Sequence, residues 1–145
     1  MFKLNLGLAA LLVLLAAGSA KAEDKVVSVT FDSIKAQTAK NGDTLDGSVK
    51  FIFADEAGSS TSGSQDTGRA RANAFHKDKQ EACRWALLGT LLKFQKNAKE
   101  RGMTKVTDIQ ISPGKNYPFG GSRNKCQCIA GGTNVGAVVK ARYAK

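Results

Sequence analysis

DKQEACRWALLGTLLKFQKNAKER, residues 78–101, is the stretch whose reading decides the fold. At about 100° per residue, Cys83, Leu87, Leu91, Phe94 and Ala98 fall within one quadrant, Leu88 and Leu92 widen that stripe, and Trp85 sits at its edge. Lys93, Lys96, Asn97 and Glu100 lie opposite, so the spacing predicts an amphipathic helix that turns Cys83 into the core. Asp78 and Glu81 have capping-box spacing, and Gly102 follows a last turn that carries Lys99 and Arg101. Both ends of the helix are written in the sequence.

The segments around it read as strands. VKFIF, residues 49–53, puts Val49, Phe51 and Phe53 on one face, and residues 106–112 put Thr107, Ile109 and Ile111 on one face before Pro113-Gly114 stops the run. A third strand is expected from about Arg123 to Ala130, a turn at Gly131-Gly132-Thr133-Asn134, and a fourth strand from Val135 to about Tyr143. In that last strand Val135, Ala137, Val139, Ala141 and Tyr143 alternate with Val138, Lys140 and Arg142, which predicts one buried and one wet face. Near the start, Val27, Val29 and Phe31 alternate as a short strand would, and Asp32 or Ser33 could cap a brief helix ending at Asn41-Gly42. Residues 54–72 are rich in Gly, Ser, Thr and Asp with almost no large apolar side chain, so they are expected to form a mobile surface loop to which Arg69 and Arg71 add positive charge. Phe75 is expected to anchor the chain ahead of the helix. The fold class expected is α+β: one long amphipathic helix packed on a small antiparallel sheet of about four strands, in the order β-α-β-β-β, within a single domain at 23–145.

The first 22 residues read as an export leader. Lys3 supplies a positive start, residues 6–17 are apolar, and Ala20-Lys21-Ala22 fits small-x-small cleavage before Glu23. The apolar run is shorter than the roughly 20 residues a membrane-spanning helix needs, and no cysteine at the cut points to a lipoprotein. The expectation is a periplasmic or secreted protein. The full chain carries 22 Lys and Arg against 12 Asp and Glu; losing Lys3 and Lys21 leaves 20 against 12, or +8. Outside the cytoplasm such a balance points away from nucleic acid and toward anionic envelope polymers or lipids such as lipopolysaccharide, teichoic acids or anionic headgroups. Scattered lysines on a solvated face are the plainer account. Tyr117 and Phe119, an aromatic pair in the Gly-rich stretch after Pro113, either mark a binding surface or pack back over the sheet edge.

The three cysteines carry the remaining chemistry. In an oxidising compartment a disulfide is the default, and an odd count leaves one thiol over. Cys126 and Cys128 leave the same face of a predicted strand, so either could reach Cys83, and such a helix-to-strand bond would contribute roughly 3 to 4 kcal/mol. The alternative function is thiol-based metal binding, with His76, Cys83, Cys126 and Cys128 as ligands for zinc or copper(I). No cofactor is indicated. An enzyme is poorly supported: no residue orients His76 as a base, and Asp55, Glu56, Asp66 and Asp108 are scattered over loops and a strand without acid/base spacing.

NAFHKDKQEACRWALL, the Gly after the long helix, and CQCIAGGTNVGAVVKAR near the end resemble a family of small exported bacterial proteins that commonly bear the name of the excinuclease ATPase. The resemblance runs from about Ile34 to the C-terminus and is clearest at Asn73-Ala74-Phe75, Glu81-Ala82-Cys83-x-Trp85 and Cys128-x-Ala130-Gly131. The family's two cysteines match Cys83 and Cys128, so the resemblance implies a disulfide between them and leaves Cys126 as a free thiol. The chain departs from the family ahead of the long helix and at 113–122. The arrangement is more distantly similar to the periplasmic domain of the lipoprotein that senses envelope stress for the Rcs phosphorelay. The excinuclease name fails on chemistry, because Gly114-Lys115 is followed by Asn116 and lacks the earlier glycine of a phosphate-cradling loop. What remains is a non-enzymatic envelope protein that binds or senses an anionic component or a protein partner.

Overall fold

A computed structural model describes residues 25–145. The expected leader at 1–22 lies outside the described residues. The elements in chain order are β1 (Lys25–Val29), α1 (Phe31–Lys35), β2 (Lys50–Phe53), β3 (Gln65–Asn73), α2 (Lys79–Glu100), β4 (Lys105–Ser112), β5 (Cys126–Ala130) and β6 (Asn134–Ala144).

Helix α2 forms where its periodicity places it. The Asp78 carboxylate accepts the Glu81 N–H at 3.2 Å. At the other end Gly102 adopts φ +67° and lets the Met103 N–H donate to the Ala98 carbonyl at 2.8 Å, closing the last turn. Cys83, Leu87, Leu88, Leu91, Phe94 and Ala98 are buried, Leu92 and Trp85 are half-buried, and Lys93, Lys96 and Glu100 face out. This stripe covers one face of the sheet, chiefly over β3 and β6.

The sheet overturns the expected four-stranded antiparallel architecture. Among the described residues it has six strands and is mixed: along the path β1-β5-β6-β4-β2 all neighbours are antiparallel except β2 and β4, which are parallel, and β3 flanks the other side of β6. A parallel pair needs a long crossover, and β3 with α2 supplies it. Of the two strands beyond the expected four, β1 covers the short alternation read at Val27 and Val29, whereas β3 was not expected.

Strand β3 falls inside the stretch expected to be a mobile loop. Its core-facing positions are Gly68, Ala70 and Ala72 because α2 runs close above them. A Cβ on Gly68 would sit 2.8 Å from Thr90 Cγ2 and 3.3 Å from the Phe94 ring. Small residues are what that approach demands, and they remove the apolar signal by which a strand is read. Residues 54–64 are also tied down. The Ala54 N–H donates to the Ile109 carbonyl at 3.1 Å, the Asp55 N–H to the Gly121 carbonyl at 3.1 Å, and the Ser60 N–H to Thr107 Oγ1 at 2.8 Å.

Three smaller expectations also change. The short helix is capped by Thr30, whose hydroxyl oxygen accepts the Ser33 N–H, and it ends at Lys35 rather than near Asn41-Gly42. In β4 the register slips between Thr107 and Gln110, with Asp108 at φ +53°, so Val106 and Thr107 are both buried. Phe75 is 57 % exposed, its ring 3.9 Å from that of His76, and does not anchor the helix.

A Cys83–Cys128 disulfide joins the second turn of α2 to β5, with Cα atoms 5.8 Å apart and a sequence separation of 45. Closing a loop of that length restricts the unfolded chain by about 4 kcal/mol. Cys83→Ala with Cys128→Ala is therefore expected to lower unfolding free energy by about 3 to 4 kcal/mol in urea titration, as reduction should in the unaltered chain. An unchanged midpoint would contradict the staple.

Candidate functional site

Alternation along β6 divides the sheet into two faces. Val135, Ala137, Val139, Ala141 and Tyr143 point toward α2 and are buried, which turns Gly136, Val138, Lys140 and Arg142 to the side that α2 leaves uncovered. Register carries the division outward. Arg69 lies opposite Val138 and Arg71 opposite Gly136 in β3, Ile129 opposite Gly136 in β5, Val26 opposite Ile129 in β1, and Gln110 opposite Lys140 in β4.

Loop 113–122 borders this open face. Ser112 Oγ sits 2.8 Å from the Gly114 carbonyl and 3.0 Å from that of Tyr117, sharing its proton between them while accepting the Gly114 N–H. Ile111 and Gly120 exchange backbone hydrogen bonds of 2.9 Å, which returns the loop to the sheet. Tyr117 and Phe119 remain 41 % and 39 % exposed, and the Lys140 ammonium stands 4.2 Å from the centre of the Phe119 ring. Both rings are thus partly exposed on a loop that is itself tied to the sheet. Arg69, Arg71, Pro113, Lys115, Ile129 and Val138 line a shallow depression of about 370 Å³.

The charges on this face fall into two sets. Arg142 is spent on structure: its Nε donates to Asp108 Oδ2 at 3.3 Å, Nη1 to the Gly63 carbonyl at 2.9 Å, and Nη2 to Gln65 Oε1 at 3.1 Å. Among the described residues, no carboxylate pairs with Arg69, Arg71, Lys115 or Lys140. These four cations therefore project positive potential into solvent.

The opposite side of the molecule has a wider groove of about 760 Å³, between the outer side of α2 and residues 39–46, in which Lys40, Lys93, Lys96 and Lys99 stand among Asp43, Asp46 and Glu100. Two of its four lysines are paired within the groove. Lys99 pairs with Asp46 at 3.3 Å and Lys96 with Glu100 at 4.0 Å. The Ser48 hydroxyl and backbone N–H, with Lys99, hold the Asp46 carboxyl down at about 2. Gln95, buried in α2, fixes the loop by donating to the Thr44 carbonyl at 3.0 Å and accepting the Asp46 N–H at 3.3 Å.

The expected site residues separate. Cys83 and Cys128 form the disulfide, Cys126 is a buried free thiol on β5, and His76 is exposed at φ +57° ahead of α2. The proposed ligand set of one nitrogen and three sulfurs is not gathered: among the described residues no three His, Cys, Asp or Glu side chains group as metal ligands. Three of the four carboxylates work as structural acceptors. Asp66 accepts the Tyr143 hydroxyl at 2.8 Å, Asp108 accepts Arg142, and Glu56 accepts the Arg123 fork at 2.9 Å through both oxygens. Arg123 also donates to the Phe51 carbonyl at 3.0 Å and lies over Phe31 and Phe53, closing the end of the core beside Cys126. Its guanidinium, by this hydrogen bonding, holds the Glu56 carboxyl below its ordinary value.

Comparison with protein-family models, with curated proteins and with solved structures finds no match. The site must be argued from its own chemistry. Sequence reasoning missed Lys115, Lys140, Ile129 and Val138 as members of one surface and placed Arg69 and Arg71 on a loop. The signal was present in Arg69-Ala70-Arg71-Ala72, whose period of two is that of a strand with one charged and one small face.

Burial pushes the Cys126 thiol up to about 12, with the nearby Arg123 charge opposing the shift. Since the thiolate is the nucleophile, Cys126 should resist iodoacetamide at pH 8 in the folded protein and react fully in urea, as read by intact mass. Rapid labelling of the folded protein would contradict this environment.

Proposed function

We propose that this chain is an exported, non-catalytic envelope protein whose open sheet face binds an anionic component of the cell envelope, a phosphate-bearing lipid headgroup or polymer. The observation that carries the reading is the set of four cations without carboxylate partners, Arg69, Arg71, Lys115 and Lys140, gathered beside exposed Tyr117 and Phe119 on the face that α2 leaves bare. Cations supply long-range attraction to phosphate, and aromatic rings supply contact at an interface where one side is apolar. Export is supported by the leader-like first 22 residues and agrees with the disulfide. A binding rather than catalytic role is supported by carboxylates committed to structural contacts and by a free thiol held protonated.

Kinship with the small exported family is proposed on Asn73-Ala74-Phe75, Glu81-Ala82-Cys83-x-Trp85 and Cys128-x-Ala130-Gly131, and the Cys83–Cys128 bond agrees with it. The zinc or copper alternative has weaker support. The disulfide takes two of its sulfurs and leaves Cys126 alone.

Association with phosphatidylglycerol vesicles, measured by co-sedimentation, is the test. Binding is expected at low salt, to fall steeply toward about 0.5 M salt, where screening shortens to a few ångströms, and to be absent on phosphatidylcholine. At roughly 1 kcal/mol per cation near an anionic surface, Arg71→Gln with Lys140→Gln should weaken binding about 30-fold. Lys93→Gln with Lys96→Gln on the outer side of α2 should leave it nearly unchanged. Equal losses from both pairs, or no binding at low salt, would overturn the reading.

A further inference from the structure

We propose a second site: the free edge of β3 accepts an extended acidic peptide segment of a partner protein as an additional strand, with alternate side chains entering the groove between β3 and α2. Among the described residues β3 pairs with β6 alone and ends the sheet on that side, with Thr90 of α2 reaching its free edge at Arg69 and no element pairing beyond it. Three contacts fix which of its peptide groups face inward and which outward. The Tyr143 N–H donates to the Ser64 carbonyl, and the Ala70 carbonyl lies against Gly136, so even-numbered residues serve the ladder with β6. The Arg69 carbonyl is turned the other way, accepting the Thr90 hydroxyl at 3.2 Å. Odd-numbered residues therefore point their N–H and C=O groups off the edge.

Two of those outward groups are already satisfied. Thr90 takes the Arg69 carbonyl, and the Asp66 carboxylate takes the Thr67 N–H at 2.9 Å. Among the described residues, the Arg69 N–H and both peptide groups of Arg71 have no such partner, which leaves a short run of main-chain valences for an incoming strand.

The side chains define what that strand carries. Beside the edge, on the α2 side, lies a groove of about 380 Å³ lined by Asp66 and Gly68 of β3 and by Thr90, Lys93, Phe94 and Asn97 of α2. A strand laid on β3 would direct every second side chain into it. Gly68 and the Phe94 ring make this groove suit small apolar residues. The intervening side chains would lie on the open face next to Arg69 and Arg71, where carboxylates are complementary. A second copy of this chain fits poorly, because pairing β3 with itself brings the arginines of both copies together on one face.

The site differs from the ionic surface above in using backbone valence, and its test separates the two. The probe is a synthetic peptide of about six residues alternating glutamate with valine. It is titrated against the full protein by fluorescence anisotropy, in two further forms N-methylated on one or the other alternate set of amides. One methylated form should bind about tenfold or more weakly than the parent and the other like the parent, because only one set of amides faces β3. Hydrogen exchange should show the Arg69 and Arg71 amides protected by the parent peptide. Equal binding of both methylated forms would reduce the contact to side-chain charge and overturn the proposal. So would absence of binding up to about 1 mM, or protection of the same amides by concentration-dependent dimerisation without peptide.

Discussion

Helix α2 can cover only one face of the sheet, the face to which the apolar row of β6 and Cys128 both point. From this constraint the distribution of residue types follows. On the covered side, β6 presents an unbroken apolar row and β3 presents glycine and alanine, because the helix approaches β3 so closely that only small side chains fit beneath Thr90 and Phe94. On the bare side the same two strands carry Arg69, Arg71, Lys140 and Arg142. The covalent link adds to a helix already defined by its caps and its apolar stripe, and it ties the second turn of that helix to β5.

The cations of this chain do unlike things according to what stands near them. Arg123 is fixed by a two-pronged contact to Glu56 and by the Phe51 carbonyl, and serves to close the core over Phe31 and Phe53. Arg142 is fixed by Asp108, Gly63 and Gln65 and holds the bulge of β4 against the 54–64 segment. Lys99 is matched by Asp46 across the outer groove. A net charge says nothing about these roles. The distinction that bears on binding is between cations whose donors are used within the chain and those, gathered around loop 113–122, that project into solvent next to aromatic rings.

Long-period features were legible in the sequence and close-packed ones were not. The helix at 78–101, with both its ends, and the alternation of the last strand are carried by large apolar residues at regular spacing, and the structure keeps them. Strand β3 was hidden because its inward positions are small for steric reasons, so its composition mimics that of a loop. The bulge at Asp108 was hidden because it depends on Ser59 Oγ accepting the Asp108 N–H at 3.2 Å and on Arg142, both distant in sequence. The parallel pairing of β2 with β4 depends likewise on how the intervening segment crosses over. The candidate surface inherits these losses. Tyr117 and Phe119 could be singled out as exposed aromatics on a loop, whereas their neighbours Arg69, Arg71 and Lys140 join them only through the register of β3 and β6.

The bare face of the sheet, rather than the lysine-rich outer side of α2, is the proposed seat of an anionic ligand. Backbone and aromatic NMR resonances followed while a soluble phospholipid with a phosphatidylglycerol headgroup is added below its micelle concentration would locate it. Progressive shifts confined to Arg69, Arg71, Lys115, Tyr117, Phe119 and Lys140 are expected. Shifts centred instead on Lys40, Lys93, Lys96 and Lys99, or spread evenly over every exposed lysine, would contradict this placement.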